Sequence, residues 1–265
     1  MRLVVVGATA LLASVAFAGA PDELTDRKGD AVAEVFNSEG INGTLVVASA
    51  KGEILYLHND ERSATRFSPA STFKIPNTLI ALYLGVLESR DDTFDWDGVE
   101  RGLPAWNRDQ TLSSAFKVSC VWCYQEIARK VGLAQYETAL NRLGYGNQQL
   151  GDQVDQFWLN GELKISAVEQ ISFLKDLLFG SVPYSREHID ILKEIMVEEQ
   201  GADYVLYAKT GWTGPELHVG WYVGFVEKAD ETWFFALNIR MDDAAKAPLR
   251  KSLAVQSLRA LGILR

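Results

Sequence analysis

The chain has 265 residues, 48% of them hydrophobic and 23% charged, so it can bury a sizeable core without leaning on a structural metal or a disulfide scaffold. Its formal net charge of -9 argues against nucleic-acid partners, which need a basic surface that releases counterions; a small neutral or anionic substrate gathered by local cations stays open. Two cysteines are too few for a disulfide framework.

In chain order, Arg2 supplies a short positive end, residues 3–15 are largely apolar, and Ala16-Phe17-Ala18 is an A-x-A cleavage site. This predicts a signal peptide over 1–18 and a mature chain starting at Gly19; cleavage after Ala20 would leave Pro21 beside the scissile bond. The apolar run falls short of the ~20 residues a membrane span needs, and no later stretch is apolar enough, so no membrane anchor is expected after cleavage.

Residues 22–36 read as an amphipathic helix ended by Ser38-Glu39-Gly40. Residues 43–50 and 53–58, separated by Lys51-Gly52, read as a β-hairpin closed by Asn59-Asp60. From there to residue 200 the pattern is mostly helical. Helices are expected over 71–84, 121–131 and 135–143, stopped by Gly85, Gly132 and Gly144, and Pro76 should kink the first. Ser166-Ala167-Val168-Glu169 is a capping box opening the next helix, and a further helix covers 185–198. The period then changes to two, with strands at 204–210, 220–227 and 232–241 before a terminal helix over 249–261. This order predicts an α+β protein with one antiparallel sheet assembled from both chain ends and flanked by helices. A helical subdomain at about 86–200 forms one wall of a cleft in a single domain spanning 19–265.

Cys120 and Cys123 have C-x-x-C spacing. The preceding segment is not the strand of a thioredoxin-like unit, and a zinc site would need more ligands, which favours two small apolar residues on one helix face. A disulfide between them stays open.

Ser71 and Lys74 stand three apart at the start of a helix, so the amine can approach the hydroxyl, and Lys74 lies in an otherwise apolar run. A serine hydroxyl is a weak nucleophile until a base takes its proton, and lysine serves as that base only when burial lowers its pKa. Lys209-Thr210-Gly211, at the end of a strand, would turn an ammonium and a hydroxyl toward a ligand. In this chain order S-x-x-K and K-T-G together describe penicillin-recognising serine enzymes. His58, His188 and His218 form no ligand cluster, and no metal site is expected.

With these motifs the chain resembles the class D serine β-lactamases, the oxacillinases. The resemblance rests on residues 67–82 (FSPASTFKIPNTLIAL), Ser119-Cys120-Val121, Tyr145-Gly146-Asn147, residues 157–166 (FWLNGELKIS), Lys209-Thr210-Gly211-Trp212, residues 220–227 (GWYVGFVE) and Ala247-Pro248-Leu249-Arg250. It implies a β-lactam hydrolase of the bacterial periplasm that confers antibiotic resistance through an acyl-enzyme on Ser71. Lys74, N-carboxylated by carbon dioxide or bicarbonate, would be the general base, and no other cofactor is implied. Trp158 would hold the carbamate, Ser119 and Lys209 would relay protons, and Val121 and Leu159 would cover the lysine. Thr210, Gly211 and Arg250 would bind substrate, and the backbone N–H groups of Ser71 and Trp212 would form the oxyanion hole. The expected assembly is a monomer or weak homodimer. A penicillin-sensing domain and a D-alanyl-D-alanine carboxypeptidase or transpeptidase are the alternatives.

Overall fold

Alternation of buried side chains organises the molecule around one sheet. In the computed structural model, which describes residues 23–50, 54–180 and 182–265, helix α1 (Glu23–Glu39) leads into strands β1 (Gly43–Ser49) and β2 (Ile54–His58). The signal peptide expected over 1–18 and the turn expected at Lys51-Gly52 lie outside the described residues. A short helix α2 (Asp60–Ala64) follows, capped by the Asn59 side chain. Next come a 3-10 turn (Ala70–Phe73), α3 (Lys74–Tyr83), and the small strands β3 (Thr93–Phe94) and β4 (Gln110–Thr111). The helical block continues with α4 (Leu112–Lys117), α5 (Val121–Val131), α6 (Leu133–Leu143), α7 (Ala167–Phe179) and α8 (Arg186–Met196). Strands β5 (Val197–Gln200), β6 (Val205–Trp212), β7 (Val219–Glu227) and β8 (Thr232–Arg240) then precede α9 (Ala247–Ala260).

The main sheet is antiparallel throughout, in the order β2-β1-β8-β7-β6-β5, so the two ends of the chain meet at the β1–β8 pair. Successive strand residues face opposite sides. Leu45 and Val47 of β1, Leu206 and Ala208 of β6, and Leu237 and Ile239 of β8 join a core with α1 and α9. Their neighbours Val46, Tyr207 and Ala236 join a larger core under the helical block, where α7 and α8 meet the sheet. Lys209 shares the parity of Tyr207, which turns it toward the helices.

Three sequence expectations change. The helix expected from Ser71 begins only at Lys74, after the 3-10 turn. Pro76 therefore stands in the first helical turn, where its missing N–H has no intrahelical acceptor to lose. The helix expected to run to residue 198 stops at Met196, because residues 197–200 pair with β6 as the edge strand β5. α2 and α4 are additional. The Ser166 capping box forms as expected, with the hydroxyl accepting from Glu169 N and the Glu169 carboxylate accepting from Ser166 N.

Candidate active site

Ser71 sits in the 3-10 turn, buried to 8% exposure, on a loop tied from two sides. The Trp158 carbonyl accepts from Ala70 N at 3.0 Å and from Ser68 Oγ at 2.8 Å, and the Ser68 carbonyl accepts from Trp221 Nε1 at 2.9 Å. Ala70 has φ +47, a left-handed conformation that costs a non-glycine residue about 1–3 kcal/mol and persists where the surroundings over-determine it. β6 crosses directly against this turn at Gly211. A Cβ there would lie 3.0 Å from Pro69 O and 3.1 Å from Thr72 Cγ2, so glycine is what lets the K-T-G strand approach the serine.

One helical step on, Lys74 is only 1% exposed, and its Nζ donates to Ser71 Oγ at 3.3 Å. Burial pushes the Lys74 amine well below the ordinary lysine range, and the charge of Lys209 pushes the same way. Among the described residues no carboxylate pairs with it, and the Tyr124 ring centroid lies 4.5 Å from Nζ. The site thus sets an amine whose charged form is disfavoured beside a serine hydroxyl.

The second lysine, Lys209, is 4% exposed. Its Nζ donates to Ser119 Oγ and, at 3.0 Å, to the Thr210 carbonyl, with the Phe116 ring centroid 5.5 Å away. Burial, then the neighbouring Arg250 charge, bring its pKa down to about 7. Ser119 owes its position to the end of α4: Ser119 N bonds Phe116 O, and Cys120 N bonds Ala115 O. This is a Schellman closure with Ser119, at φ +56, in the left-handed place that glycine usually takes. Cys120 and Cys123 are joined in a disulfide and fully buried. That resolves the open C-x-x-C reading, and the start of α5 is regular.

Beyond Lys209 the sheet meets α9. Arg250 Nη1 donates to the Gly211 carbonyl at 2.6 Å, and its Nε donates to Ala247 O at 3.0 Å. Its stem lies over Gly220, where a Cβ would come within 2.9 Å of Arg250 Cδ. Burial lowers the guanidinium pKa to about 10, which leaves it charged at neutral pH. Lys209, Thr210 and Arg250 line one cavity of about 330 Å³ together with Lys117, Lys251 and Glu198, cationic on balance and so suited to a carboxylate. Trp212 closes β6, and its indole donates to Met241 O at 3.2 Å.

Trp158 is buried and stacks on Phe73 with ring centroids 5.5 Å apart. Every other tryptophan of the chain donates its indole N–H to a protein acceptor, whereas that of Trp158 has none among the described residues. Val121 opens α5 half-buried, and Leu159 is half-buried beside Trp158. Tyr124 and Phe116, which pack against the two lysines, were not singled out by sequence, where each reads as an ordinary core aromatic. Gly146 is structural: at φ +56 it passes Lys164 O so closely that a Cβ would lie 2.1 Å from it. Among the described residues no three His, Cys, Asp or Glu side chains gather as a metal site.

The family model for the penicillin binding protein transpeptidase domain matches residues 43–259. The chain is 38% identical to β-lactamase OXA-10 of Pseudomonas aeruginosa over 259 residues, 96% of each chain. It is 41% identical to β-lactamase OXA-48 of Klebsiella pneumoniae over 225 residues, 84% of this chain and 85% of the relative. Among solved structures, the class D β-lactamase YbXI from Nostoc superposes with TM-score 0.85 at 39% identity, over 88% of this chain and 99% of that one. FUS-1 (OXA-85) from Fusobacterium nucleatum subsp. polymorphum also gives TM-score 0.85, at 36% identity, over 88% of this chain and 98% of its own. With 38–41% identity to these relatives and the fold of the class D structures, this chain belongs to the class D serine β-lactamases.

Proposed function

We propose that the protein hydrolyses β-lactams through an acyl-enzyme on Ser71, with N-carboxylated Lys74 as the base for both half-reactions. The observation that carries this reading is the Lys74 amine, buried, without a carboxylate partner among the described residues and 3.3 Å from Ser71 Oγ. Only an unprotonated amine combines with carbon dioxide, so an amine whose charged form burial disfavours suits that modification. The unpaired Trp158 indole N–H supplies a donor suited to the resulting anion. When present, the carbamate supplies an oxygen base where the free amine is a weaker fit.

The remaining roles belong to the chain's own residues. Arg250 and Thr210 hold the substrate carboxylate, and the N–H groups of Ser71 and Trp212 receive the lactam oxygen as it gains charge. Ser71 Oγ bonds to the lactam carbonyl carbon while its proton leaves toward Lys74. The ring C–N bond breaks, and the nitrogen takes a proton from Ser119, which Lys209 replenishes; Lys209 recovers its own from the Lys74 side, which frees that base for the second half. In the second half, water attacks the Ser71 ester, its proton passes to the Lys74 side, and the Ser71 oxygen leaves reprotonated. Carbon dioxide or bicarbonate is then a requirement, and the activity confers β-lactam resistance. Among the described residues no helix is long and apolar enough to cross a membrane. The disulfide favours an oxidising compartment, in keeping with export to the periplasm.

Time-resolved mass spectrometry with benzylpenicillin tests the reading. The wild type should form a transient adduct on Ser71 that decays with turnover, and Lys74→Ala should accumulate it. A persistent adduct on the wild type would instead indicate a penicillin sensor or a transpeptidase, and unchanged hydrolysis by Lys74→Ala would remove the base assignment.

A further inference from the structure

The two buried lysines come from different elements, yet their facing partners come from one short piece of chain. Lys209 meets Phe116 and Ser119, and Lys74 meets Tyr124. Between Ser119 and Tyr124 lie four residues, and the Cys120–Cys123 disulfide spans them end to end.

We propose that this disulfide is a positioning element of the active site: it holds Ser119 at its Lys209 contact and keeps that contact in register with Tyr124 against Lys74. The inference rests on the relay role given to Ser119 above. Three observations support it.

Ser119 is a non-glycine residue at φ +56, so its backbone gains by relaxing to an extended conformation, and that relaxation would swing the hydroxyl away from Lys209. Cys120 is both the residue that closes α4, through its N–H to Ala115 O, and the N-cap of α5. In an ordinary helix a serine, threonine, aspartate or asparagine would cap here by a hydrogen bond that can open. Here the cap is Cys120 Sγ, which accepts from Cys123 N at 3.2 Å and is also covalently bound to the Cys123 side chain.

A ring this short removes little entropy from the unfolded chain, since loop-closure stabilisation grows with the number of residues enclosed. Its effect is therefore local. Both sulfurs belong to fully buried residues, which shields the bond from solution reductants and argues for a lock rather than a switch.

The test is a double-mutant cycle on the full chain, comparing wild type, Cys120→Ser with Cys123→Ala, Ser119→Ala, and the combination. Serine at 120 retains an N-cap acceptor. The acylation rate with benzylpenicillin and the melting temperature are read for each. Removing the disulfide should slow acylation about 10- to 100-fold when Ser119 is present, the scale of an ångström-sized misplacement, and should add no further loss in the Ser119→Ala background. Equal losses in both backgrounds, or a lower melting temperature with no loss of rate, would overturn the positioning role. Wild-type acylation by Ser119→Ala would overturn the relay and this inference together. A slow Ser119→Ala with a fast disulfide-free variant would overturn the inference alone. Should the cysteine variant not fold, wild type reduced by a phosphine in mild urea and returned to buffer, with free thiols counted by mass, is held to the same outcomes.

Discussion

The two faces of the main sheet are built from alternate residues of the same strands, and they are used differently. Toward α1 and α9 the strands present side chains such as Leu45, Val47, Tyr222, Leu237 and Ile239, an apolar layer with no buried lysine among the described residues. Toward the helical block the same strands present Val46, Tyr207, Trp221 and Ala236, and Lys209 follows this parity; across the gap stand Ser71 and Lys74. The first face stabilises the fold. The second gives up stability, since two buried amines lie in surroundings that disfavour their charged forms, and obtains reactive groups in return.

The largest effect expected from this contrast is at Lys209. Replacing it with Met should slow acylation about 100- to 1000-fold if Lys209 is the replenishing proton donor proposed above, while folding improves. The pH dependence fixes the sign. In the unfolded chain Lys209 keeps its proton up to its ordinary value of 10.5, and in the fold only up to about 7. Between these values the unfolded chain binds more protons, so wild-type stability rises with pH there, and the cost of the buried charge is fully present below about 7. Lys209→Met should therefore melt several degrees above wild type in mildly acidic buffer, with the gap closing as pH approaches 10.5. Calorimetry across that range checks it, and a gap that widens with pH would contradict the burial argument.

A smaller change should come from the opposite face. Leu237→Ala, fully buried under α9, should cost about 2–5 kcal/mol of stability by denaturant unfolding and leave kcat for benzylpenicillin unchanged well below the melting temperature. A fall in kcat matching that at Lys209 would show that the two faces are not separable.

Much of this division could be read in the sequence, and the exceptions have physical reasons. The hairpin, the Ser166 cap and the late strands follow from period and capping chemistry, and the S-x-x-K and K-T-G motifs pointed to the two lysines. α2, α4 and β5 escaped because they are short and carry no period of their own; β5 is an exposed edge whose residues 197–200 continue a helical pattern. The disulfide could not be decided, because a three-residue spacing suits a bridge and a helix face equally. Tyr124 and Phe116 were missed because an aromatic packed on a lysine and one packed on a leucine look alike until the fold brings them together. Arg250 came only from family resemblance, and its contact with Gly211 O follows from α9 docking beside β6.

The central claim is that burial keeps Lys74 neutral so that carbon dioxide can modify it. Carbon-13 NMR of the protein in labelled bicarbonate tests this most directly, with hydrolysis followed on the same sample before and after degassing at low pH. The account predicts one carbamate resonance, absent in Lys74→Ala, whose loss on degassing removes activity and whose return with bicarbonate restores it. Full activity in carbon-dioxide-free buffer with no such resonance would contradict it.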